Sequence, residues 1–367
     1  MRLIYLSPVP WFSYAQRPHK FVAWFHARTA GCVLWIDPYP TRLPLLSDFR
    51  RLGAKESTNN QRIIPSWLKV VRPSALPIEP LPASSFVNSI LWRAVFKVID
   101  TFSRQTPTML VIGKPSLLAL AVLKRLRGIK SVYDAMDDFP AFYSGLSRLA
   151  MRRRERQLVR RVTHVLVSST ALKQRWSKIR ADVQLVNNGL DAEVLPASGN
   201  SRVEREKKVL GYVGTIGSWF AWEWVIALAK IRPGDVVRLI GPVFAPAPGV
   251  LPANIEILAP CAHQEALRVM QDFDVGLIPF QKNALTDSVD PIKYYEYRAL
   301  GLPVISTCFG EMAYRGGEDG TFLSFGQQDI NDLVQIALRY CADRETIRNF
   351  TVENTWEARF DATKIIQ

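Results

Sequence analysis

The sequence predicts an α/β protein of two similar halves, each a doubly wound parallel sheet. Three observations point there. Short runs of Val, Ile and Leu alternate with longer stretches of helical periodicity, as expected of strands buried on both faces. The alternation stops at a polar stretch near residue 200 and then begins again. A chain of 367 residues, 48% of them hydrophobic, can also fill two ordinary cores.

In the first half the strands are LIYLS (3–7), CVLWID (32–37), MLVIG (109–113), KSVYDAM (130–136) and HVLVSS (164–169). Helical patterns such as FVNSILWRAVFKVIDTF (86–102) and ALAVLKRLRG (119–128) lie between them. QLVNNGLD (184–191) adds a short strand and an Asn-Gly turn, closing a first domain over residues 1–195. PASGNSRVEREKK (196–208) lacks apolar periodicity and reads as the linker. The pattern restarts with VLGYVGTIG (209–217), VVRLIGP (236–242), IEILAP (255–260), DVGLIPF (274–280) and PVISTC (303–308), and DINDLVQIALRYCA (329–342) follows as a helix. Two Rossmann-like halves on one linker predict a ligand cleft between them, near strand C-termini.

Composition narrows the function. Residues 1–200 carry 30 Lys and Arg against 12 Asp and Glu, whereas the remainder carries 17 against 21. The basic field of the first half suits a polyanion: nucleic acid, an anionic membrane or a phosphorylated lipid. Cys32, Cys261, Cys308 and Cys341 form no Cys-x-x-Cys pair, so no zinc site or disulfide framework is signalled, and a reducing cytoplasm fits. The N-terminal MRLIYLSPVPWF reads as a core strand rather than a secretory signal. MLVIGKPSLLALAVL (109–123) is broken by Lys114 and Pro115 and falls short of the ~20 residues that span a bilayer.

DPIKYYEYRALGLPV (290–304) carries the clearest chemistry. Pro291 fits the first turn of a helix that Gly301 stops, and Ile292 and Lys293 stand at its N-terminus. That end offers backbone N–H groups and a partial positive charge, to which Lys293 adds a full one. Glu296, one turn on and on the same face, can accept from a pair of sugar hydroxyls. Phosphates on the helix end and ribose on the carboxylate make a nucleotide site; a plain i,i+3 surface pair is the alternative. In GYVGTIGSWFAWEW (211–224), Gly214, Thr215 and Gly217 form a glycine-rich turn after a strand, open to close approach by a phosphate.

Taken in order, NNGLD (187–191), GYVGTIGSWFAWE, DVGLIPF and DPIKYYEYRALGLPVIST resemble the donor domain of GT-B glycosyltransferases, especially those building bacterial surface polysaccharides. QRPHKFVAWF (16–25) and YDAMDDFPAF (133–142) look like their acceptor-side segments, and TWEARF (355–360) is similar to their final helix, which returns to the first domain. The resemblance spans nearly the whole chain. It implies a donor domain over 209–350 and a returning segment over 351–367. It also implies Lys293 on the diphosphate of a nucleotide sugar, Glu296 on the ribose, and Gly214, Thr215 and Gly217 against phosphates or sugar. Lys293 and the helix end would stabilise the leaving group, with no metal and no cofactor besides the donor. The sequence departs from the E-x7-E pattern of retaining members, with Ser288 at the first glutamate position. It also lacks the arginine common in the glycine-rich turn, and has Met136 and two aspartates where a histidine is common.

Asp134, Asp137 and Asp138 end a strand where catalytic groups collect. For an inverting enzyme, Asp137 or Asp138 would be the general base; a metal cluster, a helix cap or a solvated loop are the other readings. Arg17, His19 and Trp11 are acceptor-side candidates, with packing as the alternative, while His26, His164 and His263 read as structural or solvent-facing. Arg93 and Lys97 within 86–99, and MRRRERQLVRR (151–161), suggest contact with anionic lipid on the inner face of the cytoplasmic membrane; packing of the first helix on the sheet and a solvated face for the second are the alternatives. Enzymes resembling this chain often use polyprenyl-diphosphate-linked acceptors. Two other readings are an epimerase of the same fold and a basic nucleic-acid-binding protein. No nucleic-acid module is present to support the latter.

Overall fold

A computed structural model describes residues 1–43, 63–104, 106–196 and 205–366. The chain divides into two compact units, residues 1–186 with 360–367, and residues 187–359. In the first unit seven parallel strands are β1 (Arg2–Leu6), β2 (Val33–Ile36), β3 (Leu68–Val71), β4 (Thr108–Ile112), β5 (Ser131–Ala135), β6 (His164–Val167) and β7 (Val183–Leu185), in the order β3-β2-β1-β4-β5-β6-β7. Its helices are α1 (Arg17–Thr29), α2 (Ser84–Leu91), α3 (Arg93–Ser103), α4 (Leu117–Arg125), α5 (Gly145–Arg161) and α6 (Thr170–Ser177). The central strands β1 and β4 pair Ile4 with Leu110 and Leu6 with Ile112, all buried, which is why these strands read as continuous apolar runs. Burying each such side chain contributes about 1.5–3 kcal/mol.

The second unit has six parallel strands in the order β10-β9-β8-β11-β12-β13: β8 (Val209–Val213), β9 (Val236–Ile240), β10 (Ile255–Leu258), β11 (Val275–Ile278), β12 (Val304–Thr307) and β13 (Thr321–Ser324). Its helices are α7 (Trp222–Ile231), α8 (His263–Met270), α9 (Ile292–Ala299), α10 (Ile330–Arg339) and α11 (Arg344–Glu353); α12 (Trp356–Asp361) follows. Strand order reverses between β8 and β11, so the loops leaving these two strands border the switch point where open α/β sheets bind ligands. Those loops hold the glycine-rich turn and the approach to DPIKYYEY.

The structure differs from the sequence expectations in several places. The strands LKVV and TFLS, each near a sheet edge and short, were not anticipated. The pattern over 86–102 is two helices, because Trp92, buried, interrupts it. The unit boundary falls after Val186, not after residue 195, because NNGLD is bound into the second unit. Asn188 N–H donates to Asp290 at 2.7 Å, its side chain donates to the Asp290 carbonyl at 2.7 Å, and Leu190 N–H donates to Asn354 at 2.9 Å. Gly189 is needed there: a Cβ would lie 2.9 Å from the Trp356 nitrogen. The returning segment begins at Phe360 rather than 351, with Phe360 against Phe21 at 5.0 Å and Asp361 accepting from the Trp24 indole at 2.8 Å. Most of the predicted linker, 197–204, lies outside the described residues.

Candidate functional site

Helix α9 opens with Pro291 as N-cap and Ile292 as its first residue, and Gly301, in the left-handed conformation at φ 75°, ends it. Three and four residues along such a helix share a face, and Lys293 Nζ donates to Glu296 Oε2 at 2.5 Å. The other carboxylate oxygen, Oε1, lies 2.7 Å from His263 Nε2. Glu296 is buried, and burial alone would raise its pKa. The Lys293 ammonium and the His263 hydrogen bond outweigh that and hold the carboxyl at about 2. An ionised carboxylate only accepts, so His263 carries its proton on Nε2. This is more than an exposed surface pair: two donors on two elements, α8 and α9, clamp one buried carboxylate.

His263, read from sequence as structural or solvent-facing, is thus part of the cluster. Its helix start follows the loop APC (259–261), whose Cys261 thiol feels the Lys293 charge although burial pushes it up overall. No periodicity could have shown a contact between side chains 33 residues apart.

The glycine-rich turn docks against the segment that carries α9. Tyr297, next to Glu296, accepts the Val213 N–H at 3.2 Å, at the end of β8. Phe220 bridges Phe280 in antiparallel register, and Gln281 N–H donates to Trp219 at 2.7 Å, so the turn's far side pairs with the segment leading to α9. Gly214, Thr215 and Gly217 therefore sit in the same unit and on the same switch point as Lys293. The turn does not open a helix directly, however. Gly214 and Ile216 N–H donate to Ile240 and Pro242 at 2.9 Å each, prolonging the sheet, and α7 starts only at Trp222. Ser288 is buried, and its hydroxyl has no hydrogen-bond partner among the described residues.

In the first unit, the three aspartates after β5 separate in role. Asp134 is fully buried and accepts from Arg17 Nε at 3.0 Å to both oxygens, while Arg17 Nη1 donates to Val186 at 2.7 Å. Asp138 receives both Arg175 Nη atoms at 2.6 Å. Asp137 is half-buried. Burial raises its carboxyl to about 7; Arg17 opposes the rise, and Asp138 and Asp134 add to it. Glu155 nearby, bonded to the Tyr133 hydroxyl at 2.7 Å, is raised to about 8, again mainly by burial.

The acceptor-side candidates Arg17, His19 and Trp11 are all buried in the first unit. Arg17 is committed to Asp134 and stacks over Phe360 at 5.5 Å. His19 Nδ1 accepts the Gln16 N–H at 3.2 Å, so its Nε2 donates to the Trp11 carbonyl at 3.1 Å; the ring is a capping and packing element. Trp11 packs edge-on to Trp35 at 5.1 Å, completing that cluster. Asp138 differs from Asp137 in forming a two-point ion pair with Arg175.

Two parallel-sheet α/β units of this kind in one chain define the GT-B fold, the architecture of many glycosyltransferases. Solved structures cover the chain end to end. Sucrose-phosphate synthase from Thermosynechococcus elongatus matches at TM-score 0.71 and 12% identity, over 100% of this chain and 98% of that one. A trehalose-6-phosphate structure from E. coli bound with UDP-2-fluoro glucose matches at 0.65 and 10%, over 100% and 99%. A glycosyltransferase from Rickettsia africae ESF-5 matches at 0.63 and 11%, over 100% and 99%. At these identities the likeness is one of fold. A Bacillus subtilis (strain 168) protein, named provisionally as the teichuronic acid biosynthesis glycosyltransferase TuaH, is 26% identical over 198 residues. The alignment takes in 48% of this chain and 50% of that protein, so it spans about half of the relative's length. No family model matches the chain.

Proposed function

We propose that this chain is a glycosyltransferase taking a sugar from a nucleotide-diphosphate sugar and passing it to a membrane-associated, polyprenyl-diphosphate-linked glycan in surface-polysaccharide synthesis. The observation that carries the reading is the Lys293, Glu296 and His263 cluster at the switch point of the second unit. Lys293 and the first turn of α9, with Pro291 and Ile292, take the diphosphate. Glu296, held ionised, accepts from the ribose hydroxyls, and Gly214, Thr215 and Gly217 lie against the phosphates or the sugar. As the glycosidic bond breaks, charge builds on the β-phosphate oxygen, and a fixed ammonium stabilises that charge more than it stabilises the bound donor. Lys293 supplies this cation, so the reading calls for no metal and no further cofactor.

Asp137 is the base in this reading, acting on the acceptor hydroxyl. The hydroxyl proton passes to its carboxylate while the oxygen bonds the anomeric carbon and the bond to the β-phosphate oxygen breaks, with inversion. A carboxyl at about 7 combines useful basicity with partial ionisation at neutral pH. The B. subtilis relative's assignment to teichuronic acid biosynthesis supports the polymer class, and the UDP-2-fluoro glucose of the E. coli neighbour supports a nucleotide-sugar donor. Among the described residues no helix is long and apolar enough to cross a membrane. The basic excess of residues 1–200 supports a peripheral place on the inner face of the cytoplasmic membrane in this reading.

The test is a thermal-shift panel of UDP, GDP, dTDP and CMP with their sugar conjugates, comparing wild type with Lys293→Ala and Glu296→Ala. A shift for one diphosphate that both variants lose supports the donor site and identifies the base. Absence of any shift in folded protein overturns it. Conversion of the donor sugar without acceptor would assign an epimerase instead.

A further inference from the structure

Helix α2 is built inside out. Its inward face carries Ser84 and Asn88, both buried. The Ser84 hydroxyl donates to the Glu79 carbonyl at 3.0 Å, while Asn88 accepts the Leu76 N–H at 2.9 Å and donates to the Leu76 carbonyl at 3.2 Å. Its outward face carries Phe86, Val87, Ile90 and Leu91, with Phe86 72% and Ile90 47% exposed. A helix packed only to close a core turns the opposite stripe inward. Here hydrogen bonds hold the polar stripe against the protein and keep the apolar one out.

The start of α5 repeats the arrangement. Leu146 and Leu149 are each 62% exposed, Phe142 just before them is exposed too, and Arg148, Arg152 and Arg153 share that exposure. The two segments are pinned to one another. Arg154 of α5 pairs with the buried Glu79 carboxylate at 2.8 Å, and Ser84 at the head of α2 holds the carbonyl of the same residue. Beyond Trp92, α3 adds an open groove of about 280 Å³ whose lining includes Arg93, Lys97, Arg104 and Arg125 with Asp100. Apolar side chains thus alternate with guanidinium groups on the unit that carries the chain's excess positive charge. The core of a protein interface is depleted of charge, whereas a bilayer surface takes apolar side chains and cations together: rings and aliphatics enter the acyl boundary, and guanidiniums stay with phosphates.

We propose that the outward face of α2, with the first two turns of α5, docks the chain on an anionic lipid bilayer. The proposal deepens the membrane part of the function above and rests on it, naming the surface that makes the contact. The test is flotation with vesicles of phosphatidylcholine alone and of phosphatidylcholine with 30% phosphatidylglycerol (roughly one charge in three headgroups), using wild type, Phe86→Ser/Ile90→Ser and Arg152→Ala/Arg153→Ala. The expected result is flotation with anionic vesicles only. The apolar pair lowers the apparent affinity by roughly ten-fold or more, and the arginine pair weakens binding most at low salt. The nucleotide-induced thermal shift stays as in wild type in both variants, which shows that they are folded and separates this proposal from the donor site. Wild type that does not float, or a Phe86→Ser/Ile90→Ser protein that floats equally well, overturns it. A dimer in solution that the apolar pair dissociates, with flotation unchanged, assigns the face to a second copy and overturns it as well.

Discussion

Two carboxylates in similar α/β units meet opposite fates. Glu296 of the second unit is held at about 2, and Asp137 of the first is raised to about 7. Burial acts on both in the same direction, so burial does not explain the difference. The neighbours do. Glu296 receives both Lys293 and His263, whereas Arg17, the cation that acts on Asp137, is already engaged by Asp134, and Asp138 and Asp134 add their own negative charge. The lesson is that ion pairs set protonation through what they withhold as well as what they provide. One unit keeps a permanent anion that fixes the Lys293 ammonium; the other keeps a carboxyl able to exchange its proton near neutrality.

Removing the exchangeable carboxyl should have the largest effect. Asp137→Asn is expected to lower kcat/KM by about 10²–10⁴, and steady-state kinetics over a pH series should show that wild type loses activity roughly ten-fold per unit below about pH 7. A variant that keeps wild-type rate would remove Asp137 from the chemistry. Next, Lys293→Ala should cost about 10²–10³ in kcat and abolish nucleotide binding by thermal shift, whereas Asp138→Asn, which only releases Arg175, should act mainly on stability. His263→Ala tests the clamp. It should raise KM for the donor several-fold, about 1 kcal/mol of lost orientation, with kcat nearly unchanged.

The remaining effects fall on stability rather than on turnover, and they have opposite signs. Glu296 has a depressed pKa, so its contribution is present above the ordinary carboxylate range and is lost as pH falls toward 2. Glu296→Gln should therefore destabilise the second unit by about 2 kcal/mol at pH 7 and flatten its acid unfolding. Asp137 has a raised pKa, so its contribution is present below the ordinary range and is lost as pH rises through about 7. Asp137→Asn should stabilise the protein by about 1–2 kcal/mol at pH 8 and by less at pH 5, read from denaturant unfolding at the two values.

Local sequence revealed what local physics determines. The strands paired on both faces announce themselves as apolar runs, and Lys293 and Glu296 share a helical turn, so their pairing follows from spacing. The glycine-rich turn was visible as a turn, but its N–H groups' commitment to Ile240 and Pro242 depends on a partner strand. His263 and Arg175 reach their carboxylates across 33 and 37 residues, distances that only the tertiary fold closes. Arg17, His19 and Trp11 look like polar and aromatic surface on paper because nothing local shows Asp134 or Trp35 beside them. Helix α2 could not be oriented from sequence: its Phe, Val, Ile and Leu residues suit packing on the sheet as well as a lipid surface, and only the fold shows its serine and asparagine on the inner side.

The segment Phe360–Gln367 belongs to the first unit although it is encoded after the second. Phe360 covers Phe21 and Trp24, Asp361 takes the Trp24 indole and Arg28, and Lys130 donates to the Ile365 carbonyl at 2.7 Å. During synthesis α1 therefore leaves the ribosome without the side chains that shield it. It keeps that aromatic surface uncovered for the time taken to translate the whole second unit, a window in which chaperone binding or aggregation competes with closure.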